Sequence, residues 1–282
     1  MEVFETKSDV VKWRNSFANS NKTLGFVPTM GALHSGHLSL IKCAKSQNDF
    51  VLVSIFVNPS QFNQQEDFEK YPRDYNKDLA MLRKIGCNVV FLPTVEEMYP
   101  EEDNRVFDFN GLDKVMEGKF RPGHFQGVAK IVSKLFELVR PHKAYFGEKD
   151  FQQLTLIKHL VRSSNYDIEI IACPIEREES GLARSSRNER LAPEERKAAS
   201  LIFSTLNEAK LKTGSFNNPE DLKEWIFDRI NSNPYMDVEY VDFVDANTLK
   251  PIESWTSSNN IQVCVAVWAG KVRLIDNIRF NY

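Results

Sequence analysis

Residues 24–45, LGFVPTMGALHSGHLSLIKCAK, join an apolar run to a segment of helical periodicity and indicate the fold class. The run that opens this stretch is apolar throughout rather than at every second position, which is typical of a strand buried on both faces of a parallel sheet. The helical pattern that follows contains two histidines near its start, His34 and His37. The stretch therefore predicts one strand-loop-helix unit of an α/β fold.

The same alternation of strand-like and helical segments continues to about residue 175. Further strand-like runs are FVLVSIFVN, CNVVFLPT, KAYFGE and DIEIIACPI, and the helical patterns between them include RDYNKDLAMLRKIG, GVAKIVSKLFELVR and DFQQLTLIKHLVRSS. Strands alternating with helices indicate βαβ units on a doubly wound parallel sheet. We expect this domain to span residues 1–176, with ligands bound beyond the carboxyl ends of its strands.

The pattern changes after residue 176. A charged loop is followed by two helical segments, in which Pro193 and Pro219 fit the first turn, where a missing N–H does no harm. Three strand-like runs then close the chain, VEYVDFVD, NIQVCVAVWAG and VRLIDNIRF. Residues 177–282 are therefore predicted to form a smaller α+β domain with an antiparallel sheet.

The composition excludes several classes of protein. The 282 residues are 42% hydrophobic and 27% charged with a formal net charge of −3, so the basic excess of a general nucleic-acid binder is missing. No apolar run approaches the roughly 18 residues that a membrane span needs, and the N-terminus is not shaped like a signal peptide. We expect a cytoplasmic protein. Its four scattered cysteines, with no CxxC, are expected to be buried, reduced thiols.

His34 and His37 are the first candidates for chemistry. The sequence contains neither GxxxxGK[ST] nor GxGxxG, the two commonest nucleotide-binding patterns of α/β domains. A helix N-terminus carries partial positive charge and free N–H groups, and two imidazoles there, with Gly36 between them, suit phosphate oxygens. A metal pair is the alternative, but no carboxylate or cysteine is placed nearby to complete it. Coincidental surface histidines are a further alternative.

Polar residues also follow the other predicted strands. Asn58 and Gln61 lie after the second strand, and Lys149 and Asp150 lie where a later strand meets its helix. On that helix Gln153 shares a stripe with two apolar positions, so its amide is predicted to point toward the sheet. These residues fit a ligand site. The alternatives are a solvated loop for the first pair and a structural hydrogen bond to backbone for the glutamine on the helix.

The segment SSR, residues 185–187, offers a compact set of donors suited to a polyphosphate. A charged interdomain linker would look similar. In RPGHFQGV, His124 is expected in a loop, with a place near the site or a structural role equally open. His142 and His159 are expected to be structural or on the surface.

Five segments together, PTMGALHSGH, VNPSQF, RPGHFQGV, FGEKDFQQ and GLARSSRN, strongly resemble the pantoate–β-alanine ligase family. That family belongs to the HxGH nucleotidyltransferases, akin to the catalytic domains of class I aminoacyl-tRNA synthetases. The resemblance implies a Rossmann-like domain with a smaller C-terminal lid, usually in a homodimer. It implies a ligase that joins (R)-pantoate to β-alanine with ATP and Mg²⁺, through a pantoyl-adenylate, releasing AMP and pyrophosphate. We expect residues 177–190 to be a mobile lid segment that excludes water.

The resemblance also implies roles for individual residues. His34, His37 and Lys149 would act on the phosphates, with His37 as the proton donor. Residues implied to bind ATP are Met30, Gly31, Ala32, Leu33, His34, Ser35, Gly36, His37, Gly147, Glu148, Lys149, Asp150, Glu176 (through its backbone), Arg184, Ser185, Ser186 and Arg187. Gln61 and Gln153 would bind pantoate, Gln61 would help place β-alanine, and Asn58 is grouped with these substrate-binding residues. No metal ligand is predicted.

One position departs from the family pattern, since Arg184 stands where the family commonly has Met or Leu. An inward-facing side chain there would raise phosphate affinity, whereas a backbone contact would change nothing. Two other functions stay open at this point. A nucleotidyltransferase acting on a phosphate ester would call for extra Arg or Lys at the strand ends, where this chain has Gln61 and Gln153. A regulatory protein would bind ATP without releasing pyrophosphate.

Overall fold

The computed structural model describes residues 1–63 and 65–280. The chain folds into two compact units. The first consists of Met1–Glu148 with Gln153–Pro174, and the second consists of Lys149–Gln152 with Ile175–Tyr282. The second unit thus begins at residue 175 instead of 177 and includes a four-residue segment from the middle of the chain.

The first unit is built on a six-stranded parallel sheet in the order β1-β4-β3-β2-β5-β6. Its strands are β1 (Glu2–Phe4), β2 (Leu24–Thr29), β3 (Phe50–Ile55), β4 (Val89–Phe91), β5 (Lys143–Gly147) and β6 (Glu169–Cys173). The predicted doubly wound parallel sheet is confirmed. Strand β1 was not predicted, because this edge strand has three residues and is mostly exposed, so it lacks a continuous apolar run.

Helices cover both faces of this sheet. They are α1 (Lys7–Asn15), α2 (Ser35–Gln47), α3 (Gln65–Glu69), α4 (Tyr75–Ile85), α5 (Val95–Met98), α6 (Met116–Phe120), α7 (His124–Val139) and α8 (Phe151–Ser163). Neighbouring residues of β2 show why its sequence is continuously apolar. Phe26 packs into one buried cluster with Phe136 of α7, and Val27 packs into another with Ile41 of α2. Both side-chain directions of the strand are therefore buried.

The second unit contains α9 (Pro193–Lys212), α10 (Pro219–Asn231) and a three-stranded antiparallel sheet. Its strands are β7 (Met236–Asp245), β8 (Ile261–Ala269) and β9 (Val272–Phe280), in that spatial order. Pro193 and Pro219 occupy the first helical positions, as predicted. The apolar faces of both helices pack with the sheet in one buried cluster. The predicted α+β architecture is confirmed.

The four cysteines are free thiols. Cys87, Cys173 and Cys264 are buried, and Cys43 is half-buried. Burial raises the pKa of the Cys87 thiol to about 11, which keeps it protonated and unreactive near neutral pH. Among the described residues, no helix combines the length and apolar character that crossing a bilayer requires.

Candidate active site

The loop between β2 and α2 has a tightly fixed backbone. The Thr29 hydroxyl donates to the Ser54 carbonyl at 2.8 Å and accepts the Gly31 N–H at 3.2 Å. Gly31 has a φ of +79°, and a Cβ there would lie 3.0 Å from both Ile55 Cγ2 and Asp78 Oδ2. The loop therefore needs glycine at this position for its conformation and for the space around it.

Asp78 of α4 holds the same loop through its side chain, which is 1% exposed. Its two carboxylate oxygens accept the N–H of Ala32 at 2.9 Å and of Leu33 at 2.8 Å. Burial raises the pKa of Asp78, although the two backbone donors oppose this shift. Ala32 has a φ of +49°, a left-handed conformation that the two bonds stabilise. Sequence reasoning missed Asp78, whose signal is an acidic residue on the apolar side of an amphipathic helix.

His34 and His37 lie at the N-terminus of α2, where the sequence predicted them, and the structure shows that both cap it. The His34 Nδ1 accepts the Gly36 N–H at 3.2 Å, and the His37 Nδ1 accepts the His34 N–H at 3.3 Å. The ring centroids lie 4.1 Å apart. Because each Nδ1 is an acceptor, the proton of each neutral ring is on Nε2. The site thus presents two imidazole Nε2–H groups beside the positive end of a 13-residue helix.

A metal site is not supported at this histidine pair. Within residues 1–63 and 65–280, no cluster of three or more His, Cys, Asp or Glu side chains is placed to hold a metal ion. Each His Nδ1 is also engaged by a backbone N–H. The half-buried position of both rings also argues against coincidental surface histidines.

Gln61 lies in a 3₁₀ turn, Pro59–Gln61, directly after β3, and it is 8% exposed. Its Nε2 donates to the Met30 Sδ at 2.8 Å, and this bond connects Gln61 to the loop between β2 and α2. Its Oε1 accepts from Asn58 Nδ2 at 3.1 Å. The solvated-loop alternative is therefore wrong for this residue, because burial and two side-chain contacts fix its amide.

Asn58 is fully buried, and its side-chain amide is hydrogen-bonded to other groups of the protein. Its Nδ2 donates to Gln61 Oε1 and to the Gly127 carbonyl at 3.0 Å. Its Oδ1 accepts from the Tyr99 hydroxyl at 2.8 Å and from the Ser60 hydroxyl at 3.0 Å. An asparagine side chain offers two donor hydrogens and two acceptor positions, so these four bonds use them all. Asn58 therefore supports the Gln61 side chain from within the protein.

The expected position of His124 in a loop is wrong. His124 is the first residue of α7 and is 7% exposed. Its Nδ1 lies 2.8 Å from the Gln61 carbonyl, and its Nε2 lies 3.3 Å from Arg121 NH1. The helix begins three residues before the apolar pattern that marks it in the sequence. His124 therefore has a structural place, supporting the backbone of the turn that carries Gln61.

The predicted residues after β5 fall in both units. Gly147 ends β5, and a Cβ there would meet no described atom within 4 Å, so space lies beside its backbone. Glu148 is exposed. Gln153 of α8 is half-buried, and its amide makes no hydrogen bond to the part of the chain that the structure describes. The structural hydrogen bond considered as its alternative role is therefore not present there. Gln152, which the sequence did not single out, is the more buried of the two, with 4% exposure.

The remaining predicted ATP-binding residues belong to the second unit. Lys149 Nζ lies 3.2 Å from Asp150 Oδ1. The carbonyl of Glu176 accepts the Arg184 N–H at 2.9 Å, and Arg184 NH1 lies 3.8 Å from a Glu178 carboxylate oxygen. The Arg184 guanidinium therefore has an acidic neighbour, which it shares with Arg196, whose NH2 lies 2.7 Å from the same oxygen.

The two serines and the arginine of the SSR segment occupy the start of a 3₁₀ turn, Ser186–Arg190. The hydroxyl of Ser185 accepts the Arg187 N–H at 3.2 Å. All three side chains are half-buried. The segment is thus a structured turn, which differs from the charged linker considered as an alternative.

Comparison with known proteins gives one consistent family. Residues 2–279 match the family model described as pantoate-beta-alanine ligase. A curated pantothenate synthetase of Porphyromonas gingivalis is 48% identical over 281 residues, with 100% of both chains covered. A pantothenate synthetase of Thermotoga neapolitana is 46% identical, with 98% of this chain and 99% of the relative covered.

Solved structures agree with this result. The crystal structure of pantothenate synthetase from Thermus thermophilus is similar with a TM-score of 0.92 at 40% identity, covering 100% of both chains. The pantoate-beta-alanine ligase of Francisella tularensis, complexed with beta-gamma ATP and beta-alanine, has a TM-score of 0.82 at 37% identity. The superposition covers 97% of that protein and 99% of this chain.

Proposed function

The chain belongs to the pantoate–β-alanine ligase family, and we propose that it joins (R)-pantoate to β-alanine with ATP through a pantoyl-adenylate, releasing AMP and pyrophosphate. A carboxylate is a poor acyl donor because its leaving group would be oxide. Transfer of AMP to the carboxylate supplies a stabilised leaving group, which the amine of β-alanine then displaces. No protein nucleophile is needed, so catalysis depends on positioning the reactants and stabilising charge on the phosphate oxygens.

His34 and His37 are the groups proposed to act on the triphosphate, with His37 as the proton donor. The observation that carries this proposal is the fixed orientation of both rings, whose Nδ1 atoms accept backbone N–H groups at 3.2 and 3.3 Å. The Nε2–H groups are then preorganised donors, and preorganised donors near developing negative charge contribute strongly to rate. The N-terminus of α2 adds partial positive charge.

Gln61 and Gln153 are proposed to hold pantoate, and Gln61 to help place β-alanine. Two uncharged amides can orient hydroxyls and a carboxylate without a salt bridge that would lower the nucleophilicity of the attacking oxygen. The absence of a hydrogen bond between the Gln153 amide and the described residues supports this role. The four bonds of Asn58 support a part in orienting Gln61 within the predicted substrate-binding group.

The ATP-binding group is proposed to include Lys149 and the donors at residues 184–187, with Gly147, Glu148, Asp150 and the backbone of Glu176. Lys149 and Arg187 carry positive charge, which a triphosphate requires in a chain of net charge −3. The Arg184 guanidinium is proposed to stay with Glu178, its neighbour at 3.8 Å, so only its backbone would serve ATP.

Mg²⁺ is proposed to arrive with ATP. It usually keeps several waters and binds substrate phosphates with one or two carboxylates, so it needs no dedicated protein cage. Glu148 and Asp150, which are among the predicted ATP-binding residues, offer carboxylate ligands that fit this arrangement. When bound, the ion neutralises charge on the phosphate oxygens.

The assembly and location are proposed on the same basis. We place the enzyme in the cytoplasm as a homodimer that acts on ATP, (R)-pantoate and β-alanine and binds neither nucleic acid nor membrane. The segment 177–190 is proposed as a lid that closes over ATP and keeps water from the acyl-adenylate. Equal amide-exchange protection of this segment with and without ATP would argue against the lid.

The decisive experiment is pyrophosphate release from ATP and Mg²⁺, with pantoate and β-alanine added separately and together. We expect a single-turnover burst of pyrophosphate with pantoate alone and steady turnover with both. A phosphate monoester serves as the competing acceptor. Burst release with the phosphate ester but not with pantoate would favour the nucleotidyltransferase alternative, and ATP binding without any release would favour the regulatory one.

A further inference from the structure

Strand β9 carries two buried polar side chains at adjacent positions, Asp276 and Asn277, which are 4% and 5% exposed. Adjacent residues of a strand point to opposite faces of the sheet, so these two side chains reach different neighbours. Buried polar groups are costly unless they are hydrogen-bonded, so their partners indicate what they are for.

Asn277 is bound to the backbone of Lys149. Its Nδ2 donates to the Lys149 carbonyl at 2.9 Å. Its Oδ1 accepts from Gln262 Nε2 at 2.7 Å, and Gln262 Oε1 in turn accepts from Arg279 Nε at 2.8 Å. This chain of bonds fixes which end of the Asn277 amide is the donor. It ties residue 149 to the strand through its main chain and leaves the lysine ammonium for other partners.

Asp276 is bound to Arg177 on the other side. Its two oxygens accept from the two terminal nitrogens of the guanidinium at 2.7 and 2.9 Å. The guanidinium also donates to the Gly181 carbonyl at 3.0 Å and lies 3.7 Å from the centroid of the Phe203 ring. Bidentate pairing and stacking together fix the arginine far more firmly than one hydrogen bond would.

Arg177 opens a short hairpin that leads directly to the SSR segment. Residues Arg177 and Ala183 form an antiparallel bridge, and Arg184 N–H donates to the Glu176 carbonyl. Asn188 Nδ2 donates to the Ala183 carbonyl at 3.0 Å, which continues the same backbone framework through the donor turn. Anchoring Arg177 therefore fixes the position of the hairpin backbone that leads into residues 184–187.

We propose that Asp276 and Asn277 are positioning residues for ATP, through which one strand holds the Lys149 segment and the segment 184–187 in fixed register. The inference rests on the proposed function, because it requires both segments to contact the nucleotide. Its physical basis is preorganisation, since anchoring both segments to adjacent residues of one strand lowers the entropy lost when they close on a triphosphate. Neither residue itself contacts ATP.

A purely structural role is the competing explanation, and the same strand supplies a matched control. Arg273 of β9 pairs with Glu239 of β7, with Nε 2.9 Å from Glu239 Oε2, and Trp268 Nε1 donates to the same carboxylate at 3.0 Å. The Arg273 side chain is 16% exposed, against 17% for Arg177. This pair links strands of the sheet. The Glu239 carboxylate thus connects side chains of β7, β8 and β9.

The test compares Asn277→Ala and Arg177→Lys with the control Arg273→Lys. We expect both test variants to raise the KM for ATP about 10- to 100-fold and the control to leave it within about twofold, because misplaced binding groups weaken nucleotide binding and sheet contacts do not. The KM for pantoate should stay near the wild-type value in all three. Melting temperatures of the three proteins show whether stability changes alike. Should Asn277→Ala fail to fold, Asn277→Ser replaces it.

Two direct measurements complete the test. Titration calorimetry with an unreactive ATP analogue should show the same loss of affinity in the test variants, and amide exchange should quicken at residues 149–152 in Asn277→Ala and at 177–187 in Arg177→Lys. Unchanged nucleotide affinity in folded test variants, or an equal loss in Arg273→Lys, would overturn the inference. Failure of the wild-type protein to release pyrophosphate with pantoate would instead refute the proposed function, whatever the variants do.

Discussion

Gly127 of α7 faces Ser60 so closely that a Cβ on residue 127 would lie 2.1 Å from the Ser60 carbonyl oxygen. The Gly127 carbonyl also accepts from Asn58 Nδ2 at 3.0 Å. Helix α7 therefore supports the turn Pro59–Gln61 through direct backbone contact, with no side chain in between. This contact fixes the distance between the turn and α7, and therefore the position of the Gln61 amide.

Replacing Gly127 with alanine should displace that turn. We expect a rise in the KM for pantoate of about tenfold or more and a loss of about 1–3 kcal/mol in the free energy of unfolding, because the methyl group overpacks the contact. Steady-state kinetics and urea unfolding measure the two effects. Gly214→Ala is the control, since a Cβ at residue 214 meets no described atom within 4 Å. An unchanged pantoate KM in Gly127→Ala would contradict the role given to the turn.

The two nitrogens of His37 can be tested separately. In His37→Asn the amide oxygen can still accept the His34 N–H, but the Nε2–H donor is lost. We expect kcat/KM to fall about 10²- to 10⁴-fold with little change in melting temperature. His159→Ala, which removes a partly exposed histidine 3.1 Å from the Asp108 carbonyl, should retain activity. Near-normal turnover in His37→Asn would remove the proton-donor role.

Asp78→Asn changes the hydrogen bonds that support the loop between β2 and α2, with almost no change in side-chain volume. One carboxylate oxygen becomes an NH₂ group that faces the backbone N–H of Ala32 or Leu33, so one bond is lost and two donors confront each other. We expect the KM for ATP to rise about tenfold and the free energy of unfolding to fall by about 1–3 kcal/mol. Asp74→Asn, at the exposed cap of the same helix, should leave the KM for ATP unchanged. An equal KM for ATP in the two variants would mean that Asp78 has no influence on the site.

Gln153→Ala tests the proposed pantoate-binding role of this residue directly. Because the amide makes no hydrogen bond to the described part of the chain, its removal should cost little stability. We expect a rise of about tenfold or more in the KM for pantoate with the KM for ATP little changed, since one good hydrogen bond to a ligand contributes about this much. Gln47→Ala, at an exposed position of α2, is the control. An unaltered pantoate KM would refute the assignment of Gln153.

The stability of the first unit should depend on pH through Asp103. The hydrogen bond from Arg105 holds the pKa of Asp103 well below its usual range, and Lys134 lies 3.3 Å away. The unfolded-state pKa of an aspartate is about 3.9, so a lower folded-state pKa stabilises the folded protein at every pH above about 4. This stabilisation is lost as the pH falls toward the folded-state pKa. The cost of Asp103→Asn should be about 1–3 kcal/mol at pH 7 and should shrink below about pH 4.

Urea unfolding at pH 7, 5, 4 and 3 measures this difference, with the exposed Asp167→Asn as the reference variant. A difference between wild type and Asp103→Asn that stays constant from pH 7 to pH 3 would contradict the assigned ion pairs.

The fold class, the alternation of strands and helices in the first unit and the helix start at His34 and His37 all follow from local sequence patterns. Continuous apolar strands such as β2 and β3, alternating with amphipathic helices, permit few arrangements other than a parallel sheet covered on both faces. The caps of α2, α9 and α10 are equally local, because a capping histidine or a first-turn proline acts within a few residues of itself. The edge strand β1 was missed for the converse reason, since three mostly exposed residues leave no periodic signal.

The distant residues that hold these groups in place could be found only in the folded chain. Asp78 reaches the Ala32 backbone across 46 residues, and Asn277 reaches the Lys149 carbonyl across 128. Their partners are backbone N–H and C=O groups, which are the same in nearly every residue and leave no mark on the sequence. The residue type of a buried side chain says how many hydrogen bonds it needs, but its partner depends on the packing of strands and helices that brings the two together.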